Sequence, residues 1–328
     1  MMLMGFDIGG TKCAVVLGRP AAGGIEILEK VVLPTRQAPY EMIESLFIAA
    51  EELLLKRAVP KAELGGIGIS CGGPLSSKQG LILSPPNLPG WDRIPIVQLT
   101  EKRFGKHTLL QNDANACAVA EWKFGAGKGL ENLIFLTFGT GMGAGLILNG
   151  QLYSGTSDFA GEVGHLRLAD MGPVGFGKAG SFEGFCSGGG IAQLAQQKVR
   201  ERLQVGEPVS FCSGLEELGS LTARSVAEAA RTGDKLAIEI YDTCAEYLGR
   251  GLSLLIDILN PQLIIMGSIY GRARTLLDDR MKKVIEREAY IGARSVCNIV
   301  PAGLGEHIGD MAALSLAMMS NESSSLPD

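Results

Sequence analysis

The sequence has little that would direct it to a membrane or to the cell exterior. Its seven cysteines are odd in number, widely spaced and without a Cys-x-x-Cys pair, which predicts reduced thiols and a cytoplasmic location. The N-terminus lacks the basic and apolar regions of a signal peptide. The longest apolar region, residues 252–269, is interrupted by Asp257, Asn260 and Pro261, so we expect no membrane span and no membrane partner.

The chain also has no excess of positive charge. With 30 Lys and Arg against 35 Asp and Glu, its net charge is −5; this balance gives no general attraction to nucleic acid, and we expect no such partner. The sequence is long and apolar enough to form a large buried core. Its 328 residues, 46% of them hydrophobic, allow one large domain or two of about 150 residues each.

Two segments share a strand, a glycine turn that carries a threonine, and a returning strand. They are residues 3–17, with the turn Gly9-Gly10-Thr11, and residues 133–148, with the turn Gly139-Thr140-Gly141. Glycine lets backbone N–H groups approach phosphate oxygens because it has no Cβ, and a threonine hydroxyl adds a donor. The repetition predicts two related α/β lobes with mixed sheets, facing each other across a ligand cleft.

Other segments fit an α/β pattern. The spacing of apolar residues predicts a helix at 40–57, a strand at 65–69, a helix at 113–124, a helix ending at 259 and a strand at 263–266. We divide the chain into an N-terminal lobe (1–118), on which a final helix (310–320) packs, a larger C-terminal lobe (119–309) and a flexible tail (321–328).

A single aspartate between the two turns is the candidate general base. Asp113 follows Asn112 at the start of a predicted helix. An Asn-Asp pair at that place is more often a helix cap. Next to two phosphate turns, the first of which is entered by Asp7, a carboxylate that accepts a hydroxyl proton during phosphoryl transfer is the better interpretation.

Two other nucleotide motifs match only in part. Gly139, Gly141 and Ala144, with Asp158 further on, satisfy a dinucleotide fingerprint, but residues 143–150 predict a strand and a turn where that motif requires a helix. The segment 172–179 copies a P-loop except at its last position, where Ala179 lacks the hydroxyl that holds magnesium. We interpret both as coincidental.

A polar group follows the second turn. Glu162 and His165, and later Glu183, lie among glycines and offer several hydrogen-bonding groups. Singly, each is more typical of a surface, a cap or a structural histidine. Together they suit a polyhydroxyl ligand, because every sugar hydroxyl both donates and accepts a hydrogen bond.

Taken together, these residues resemble the ROK family of sugar kinases and sugar-sensing repressors, in the actin-like ATPase superfamily. The resemblance implies a two-lobed, ribonuclease H-like α/β fold. The matching motifs are Asp7 to Lys12, Gly72-Gly73-Pro74, residues 86–91, residues 112–115, Gly139 to Gly145, residues 161–165, Glu183 with Ser187-Gly188, and Gly267-Ser268.

The resemblance also implies roles for individual residues. Asp113 would take the proton from the 6-hydroxyl of the sugar. The ring hydroxyls would be held by Gly73, Asn87, Asn112, Asp113, Glu162, His165 and Glu183. ATP phosphates, with Mg²⁺ near Asp7, and the nucleotide would be bound by Asp7, Gly9, Gly10, Thr11, Lys12, Gly139, Thr140, Gly141 and Gly267. The family further suggests a homodimer.

The chain departs from the family at its zinc segment. Many relatives carry three cysteines after the Glu-x-Gly-His motif, and here those places are taken by Val174, Phe176 and Ser181. His165 and Cys186 do not complete a four-ligand site. We expect no zinc, with apolar packing of Val174 and Phe176 in its place.

We therefore expect an ATP- and Mg²⁺-dependent hexose kinase that acts on glucose, another aldohexose or an N-acetylhexosamine, at O6. The alternatives are a sugar-responsive repressor and a catalytically silent sugar sensor. Repressors of the family carry an added helix-turn-helix region, for which a phosphate motif beginning at Asp7 leaves no room. The choice among sugars depends on the shape of the pocket and is not predicted.

Overall fold

A computed structural model of the protein describes residues 1–36 and 38–323. The described chain forms two compact units. Unit 1 contains Met1–Glu131, Gly145–Ala160 and the chain from Gly303, and unit 2 contains Asn132–Ala144 and Gly161–Ala302. The lobe boundary near residue 118 stays a prediction, and most of the predicted tail, 324–328, lies outside the described residues.

The strands are short and lie mostly in two sheets. In chain order they are β1 (Met2–Ile8), β2 (Lys12–Ala21), β3 (Gly24–Pro34), β4 (Leu64–Cys71), β5 (Leu75–Ser76), β6 (Leu81–Ile82), β7 (Thr108–Asn112), β8 (Leu133–Phe138), β9 (Met142–Leu148), β10 (Gln151–Leu152), β11 (Val174–Gly175), β12 (Lys178–Ala179), β13 (Leu263–Met266) and β14 (Asn298–Pro301).

The helices connect these strands. They are α1 (Pro39–Lys56), α2 (Ile96–Phe104), α3 (Asp113–Phe124), α4 (Phe182–Phe185), α5 (Gly188–Gln204), α6 (Ala223–Arg231), α7 (Lys235–Leu259), α8 (Ile269–Glu288), α9 (Ile291–Arg294) and α10 (Ile308–Ser323). Among the described residues, no helix is both long and apolar enough to cross a membrane.

The sheet of unit 1 has the strand order β3-β2-β1-β4-β7. Strand β2 pairs antiparallel with both β1 and β3, whereas β4 pairs parallel with both β1 and β7. Alternate residues of β1 point to opposite faces. Phe6 belongs to a cluster that includes Phe47 of α1 and Phe104 of α2, whereas Leu3 packs with Leu314 of α10.

Glycines on two strands bring α10 close to this sheet. A Cβ at Gly5 would come within 2.8 Å of the Ala313 Cβ, and one at Gly68 would overlap the Ala313 carbonyl oxygen. Only a residue without a side chain fits there. Helix α10 therefore covers one face of the sheet that carries the first glycine turn.

The second sheet has the order β10-β9-β8-β13-β14. Strands β8, β13 and β14 are parallel, and β13 is buried along its whole length. The glycine turn of this second sheet lies between β8 and β9, as that of the first sheet lies between β1 and β2. The predicted repetition of a strand, a glycine turn and a strand in an α/β fold is confirmed.

We expect Gly68→Ala to destabilise unit 1 by about 1 to 3 kcal/mol, because the new methyl group overpacks the contact with α10. Urea unfolding followed by tryptophan fluorescence measures this, since both tryptophans, Trp91 and Trp122, lie in unit 1. The control is Gly271→Ala on α8, where an added Cβ has no atom within 4 Å. Equal stability of the Gly68→Ala variant and the wild type would contradict the tight packing.

Candidate active site

In unit 1, the predicted site residues lie at the carboxyl edge of the parallel strands. The register places Asp7 opposite Ser70, and Cys71 opposite Asn112. The segments that follow these strands therefore begin side by side: the first glycine turn, Gly72-Gly73 and the start of α3. Ligands of open α/β sheets bind at this edge.

Thr35 stabilises the first glycine turn through two hydrogen bonds. The Thr35 hydroxyl donates to the Gly9 carbonyl oxygen at 2.6 Å, and its N–H donates to the Thr11 carbonyl oxygen at 3.1 Å. On the other side, a Cβ at Gly10 would come within 2.5 Å of the Asn87 Cβ. The structure thus brings a predicted phosphate residue and a predicted sugar residue together.

Asn112 and Asp113 begin helix α3 as predicted. The Asn112 side-chain oxygen accepts from the Asn115 N–H at 2.7 Å, and Asp113 Oδ1 accepts from the Ala114 N–H at 2.8 Å. The cap uses only the oxygen of Asn112, so its amide nitrogen is a separate donor. Helix capping and ligand binding are compatible at this position.

The Asp113 carboxylate is reached by water but is also surrounded by protein atoms. Its side chain is exposed by surface area, yet the protein that surrounds it desolvates the carboxylate and raises its pKa; the hydrogen bond from Ala114 opposes this shift. The group remains able to ionise and to accept a proton.

Asp7 has the more strongly perturbed carboxyl group. Burial, followed by the negative charges of Asp113 and Asp310, raises its pKa to about 6, while Lys30 and Lys12 oppose the rise. Lys30 lies 2.6 Å from Asp310 in an ion pair. Asp7, Lys12, Lys30 and Asp310 line a cavity of about 150 Å³ in unit 1.

In unit 2, the second turn is held by three backbone contacts. The Gly139 N–H donates to Gly141 at 3.1 Å, and the Gly188 N–H donates to Gly139 at 2.8 Å. The Met142 N–H donates to Glu183 Oε2 at 3.0 Å. Thr140 stays exposed at the tip. Strand β9 follows the turn, so the helix that a dinucleotide fingerprint requires is not there.

Gly267 lies beside this turn because β13 pairs with β8. Its N–H donates to the Leu136 carbonyl oxygen at 3.0 Å, and a Cβ at Gly139 would lie 3.7 Å from the Ser268 hydroxyl. The predicted nucleotide residues of unit 2 are thus neighbours.

Glu162, His165 and Glu183 also lie near the second turn. A Cβ at Gly164 would overlap the Met142 carbonyl oxygen, so the 3₁₀ turn Val163–His165 packs directly on β9. Glu162 is exposed and His165 is half-buried. One oxygen of Glu183 is used by Met142, so this residue links the predicted sugar segment to the predicted phosphate turn.

The expected apolar replacement for the zinc site is wrong. Val174 is 47% exposed and Phe176 is 66% exposed, although the Phe176 ring does meet the His165 ring edge-on at 5.2 Å. Hydrogen bonds order the segment instead: Gln193 binds the Val174 backbone, and Ser181 caps α4. Among the side chains that the structure describes, in residues 1–36 and 38–321, no three His, Cys, Asp or Glu are grouped so that they could hold a metal.

Thr35, Lys30 and Asp310 were missed by sequence reasoning. Thr35 and Lys30 are brought to the site by β3, which no pattern had predicted, and Asp310 by the first turn of α10. A lone Thr or Lys on an unassigned segment gives no signal. Only the register of β3 on β2 places them behind the turn.

Two mixed sheets, each with a glycine turn after its central strand, define an α/β protein of the actin-like ATPase fold. The chain belongs to the ROK family, whose model matches residues 3–320. It is 30% identical over 322 residues to the glucokinase of Streptomyces coelicolor, covering 96% of this chain and 97% of that protein.

Two further relatives bear on function. A ROK family glucokinase from Streptomyces griseus, solved in complex with glucose and AMPPNP, superposes with a TM-score of 0.76 at 28% identity, covering 97% of this chain and 100% of that chain. The xylose repressor of Caldicellulosiruptor bescii is 26% identical and covers 88% of this chain and 71% of the repressor. The family therefore contains both kinases and regulators.

The raised pKa of Asp7 predicts a pH-dependent stability. Between about pH 4 and pH 6 the folded state binds this proton more readily than the unfolded chain, so the Asp7 contribution becomes less favourable as the pH rises. We expect Asp7→Asn to be more stable than the wild type at pH 7 by about 3 kcal/mol, with the difference shrinking toward pH 4. Urea unfolding at both pH values checks this, and a difference independent of pH would disprove it.

Proposed function

We propose that this protein is an ATP-dependent hexose kinase that transfers the γ-phosphate of ATP to the 6-hydroxyl of an aldohexose such as glucose, or of an N-acetylhexosamine. The observation that carries the proposal is the shared sheet edge in unit 1, where a phosphate turn led by Asp7 lies beside Asp113. The glucokinase relatives support the same reaction.

Asp113 is the general base of this proposal. As the sugar oxygen attacks the γ-phosphorus, the hydroxyl proton passes to Asp113, a new O–P bond forms, the bond to the bridging oxygen breaks, and ADP leaves. The raised pKa of Asp113 suits this role, because a base whose pKa lies closer to neutrality holds the proton better.

The remaining predicted residues bind the two substrates. We assign sugar hydroxyls to Gly73, Asn87 and Asn112 from unit 1 and to Glu162, His165 and Glu183 from unit 2. We assign ATP to the turn Gly9–Lys12 with Asp7, and to Gly139, Thr140, Gly141 and Gly267. The tips of both turns, Gly10 and Thr11 in one and Thr140 in the other, are exposed, which suits contact with phosphate oxygens.

The residues around Asp7 fit a magnesium ion that arrives with ATP. Mg²⁺ prefers oxygen ligands and is commonly held by one or two carboxylates together with substrate phosphates. Asp7 supplies such a carboxylate, in a buried position beside the negative charges of Asp113 and Asp310. Bound there, the ion would neutralise charge on the phosphates. The proposal also includes a homodimer and a cytoplasmic location.

We expect Asp113→Asn to lower kcat by about 10² to 10⁴-fold, because an amide does not accept the hydroxyl proton. A coupled ADP-release assay over a panel of aldohexoses and N-acetylhexosamines measures this. The control is Asp242→Asn, an exposed carboxylate on α7, which should leave turnover unchanged. Absence of sugar-stimulated turnover in the wild type, or full turnover in Asp113→Asn, would refute the proposal.

We expect Gly10→Ala to raise the sugar KM by about three- to tenfold, because the new Cβ pushes Asn87 from its place. Steady-state kinetics with the sugar selected from the panel give the value. Gly219→Ala is the control, since nothing lies within 4 Å of its added Cβ. A Gly10→Ala variant that loses stability but keeps its sugar KM would show that Asn87 does not contact the sugar.

A sugar-responsive regulator is the second candidate, favoured by the similarity to a xylose repressor. Such a protein would bind sugar without releasing ADP. Isothermal titration with each sugar, run beside the turnover assay, separates the two functions, because only a kinase couples sugar binding to ADP release.

A further inference from the structure

Residues 172–179 are the P-loop-like segment that the proposed function does not use. They fold as a two-stranded hairpin in which Val174 pairs with Ala179, and Phe176 and Gly177 form the turn with φ of 41° and 75°. A two-residue turn with both φ positive matches the twist of a hairpin. The segment that sequence reasoning set aside is therefore an ordered element beside His165 and Glu183.

Lys178 connects this hairpin to the segment that carries His165. Its ammonium donates to the His165 carbonyl oxygen at 2.8 Å, and its side chain is half-buried. A hydrogen bond from a charged donor is stronger than one between neutral groups. The bond fixes the backbone of His165, whose ring meets the Phe176 ring of the same hairpin.

Gln193 anchors the other strand of the hairpin to helix α5. Its Oε1 accepts from the Val174 N–H at 2.9 Å, and its Nε2 donates to the Val174 carbonyl oxygen at 2.9 Å. The Gln193 side chain thus satisfies both the N–H and the carbonyl oxygen of Val174. Only an amide provides a donor and an acceptor in this arrangement.

The hairpin also packs on the turn that carries Glu183. A Cβ at Gly175 would come within 2.8 Å of the Glu183 Cβ, and one at Gly184 would overlap the Pro173 carbonyl oxygen. Glu183 in turn accepts from the Met142 N–H of the second glycine turn. Movement of the hairpin would therefore shift both His165 and Glu183.

We infer that Lys178 and Gln193 are positioning residues, which fix the hairpin and thereby hold His165 and Glu183 in a sugar-binding arrangement without a metal ion. The inference rests on the proposed function for the identity of the ligand. It does not require Lys178 or Gln193 to touch the sugar. Loss of either should affect sugar affinity rather than chemistry.

The test uses Lys178→Met and Gln193→Ala in the full chain. We expect each to raise the sugar KM by about tenfold, with kcat and the ATP KM within about twofold of the wild type. Lys178→Arg, which keeps a charged donor, should recover part of the lost affinity. A purely structural role would instead lower the thermal midpoint and kcat while leaving the sugar KM unchanged, and that result overturns the inference.

Two matched controls come from the same unit. Gln197 lies one turn further along α5 and bonds to the exposed Glu201, and Lys282 pairs with Asp278 on α8. Gln197→Ala and Lys282→Met should leave the sugar KM unchanged. If either control raises the sugar KM as much as the test variants do, the effect is not specific to the hairpin and the inference is wrong.

Hydrogen exchange separates this inference from the proposed function, because it needs neither sugar nor turnover. In Lys178→Met and Gln193→Ala, amides of residues 162–183 should exchange faster than in the wild type and in the two controls. If the wild type has no kinase activity, the proposed function fails while faster exchange still supports the positioning role. Unchanged exchange overturns the positioning role whether or not the wild type is a kinase.

Discussion

The close approach of carboxylates at one sheet edge is the constraint on which unit 1 depends. Asp7 and Asp113 are brought together by the parallel register of β1, β4 and β7, and the pKa of Asp7 is raised first by burial and then by the negative charge of Asp113. The Lys30–Asp310 ion pair adds one charge of each sign beside Asp7. Such a site is electrostatically unfavourable when empty, and a bound cation would offset that cost.

Unit 2 meets a different requirement, which is to hold a glycine-rich turn in one conformation. Glycine makes the turn accessible but adds conformational freedom that folding must remove. Hydrogen bonds to Gly188 and Glu183 restrict it. Lys178 of the hairpin likewise fixes the backbone of His165. Within this unit, the residues proposed to bind sugar and those proposed to bind nucleotide are therefore held by connected contacts.

Local elements were predictable where the chain carries strong periodicity or a clear terminal signal. Helix α3 begins at Asp113 because Asn112 caps it, and β8 and β13 have the predicted bounds because both are continuous apolar segments. Strand β3 was missed, since its alternation of half-buried and exposed residues is weak at the sheet edge. The packing predicted for Val174 and Phe176 failed because both residues lie on an exposed hairpin.

The sequence by itself determined the type of the strongly periodic elements, the repeated glycine turns and the membership of the family, because these depend on residues close together in the chain. The tertiary structure decided which groups meet. The partnership of Thr35 with the Gly9 turn, the charges around Asp7 and the bonds of Lys178 and Gln193 depend on strand register and on side chains far apart in sequence. Those contacts follow from packing, which no local pattern encodes.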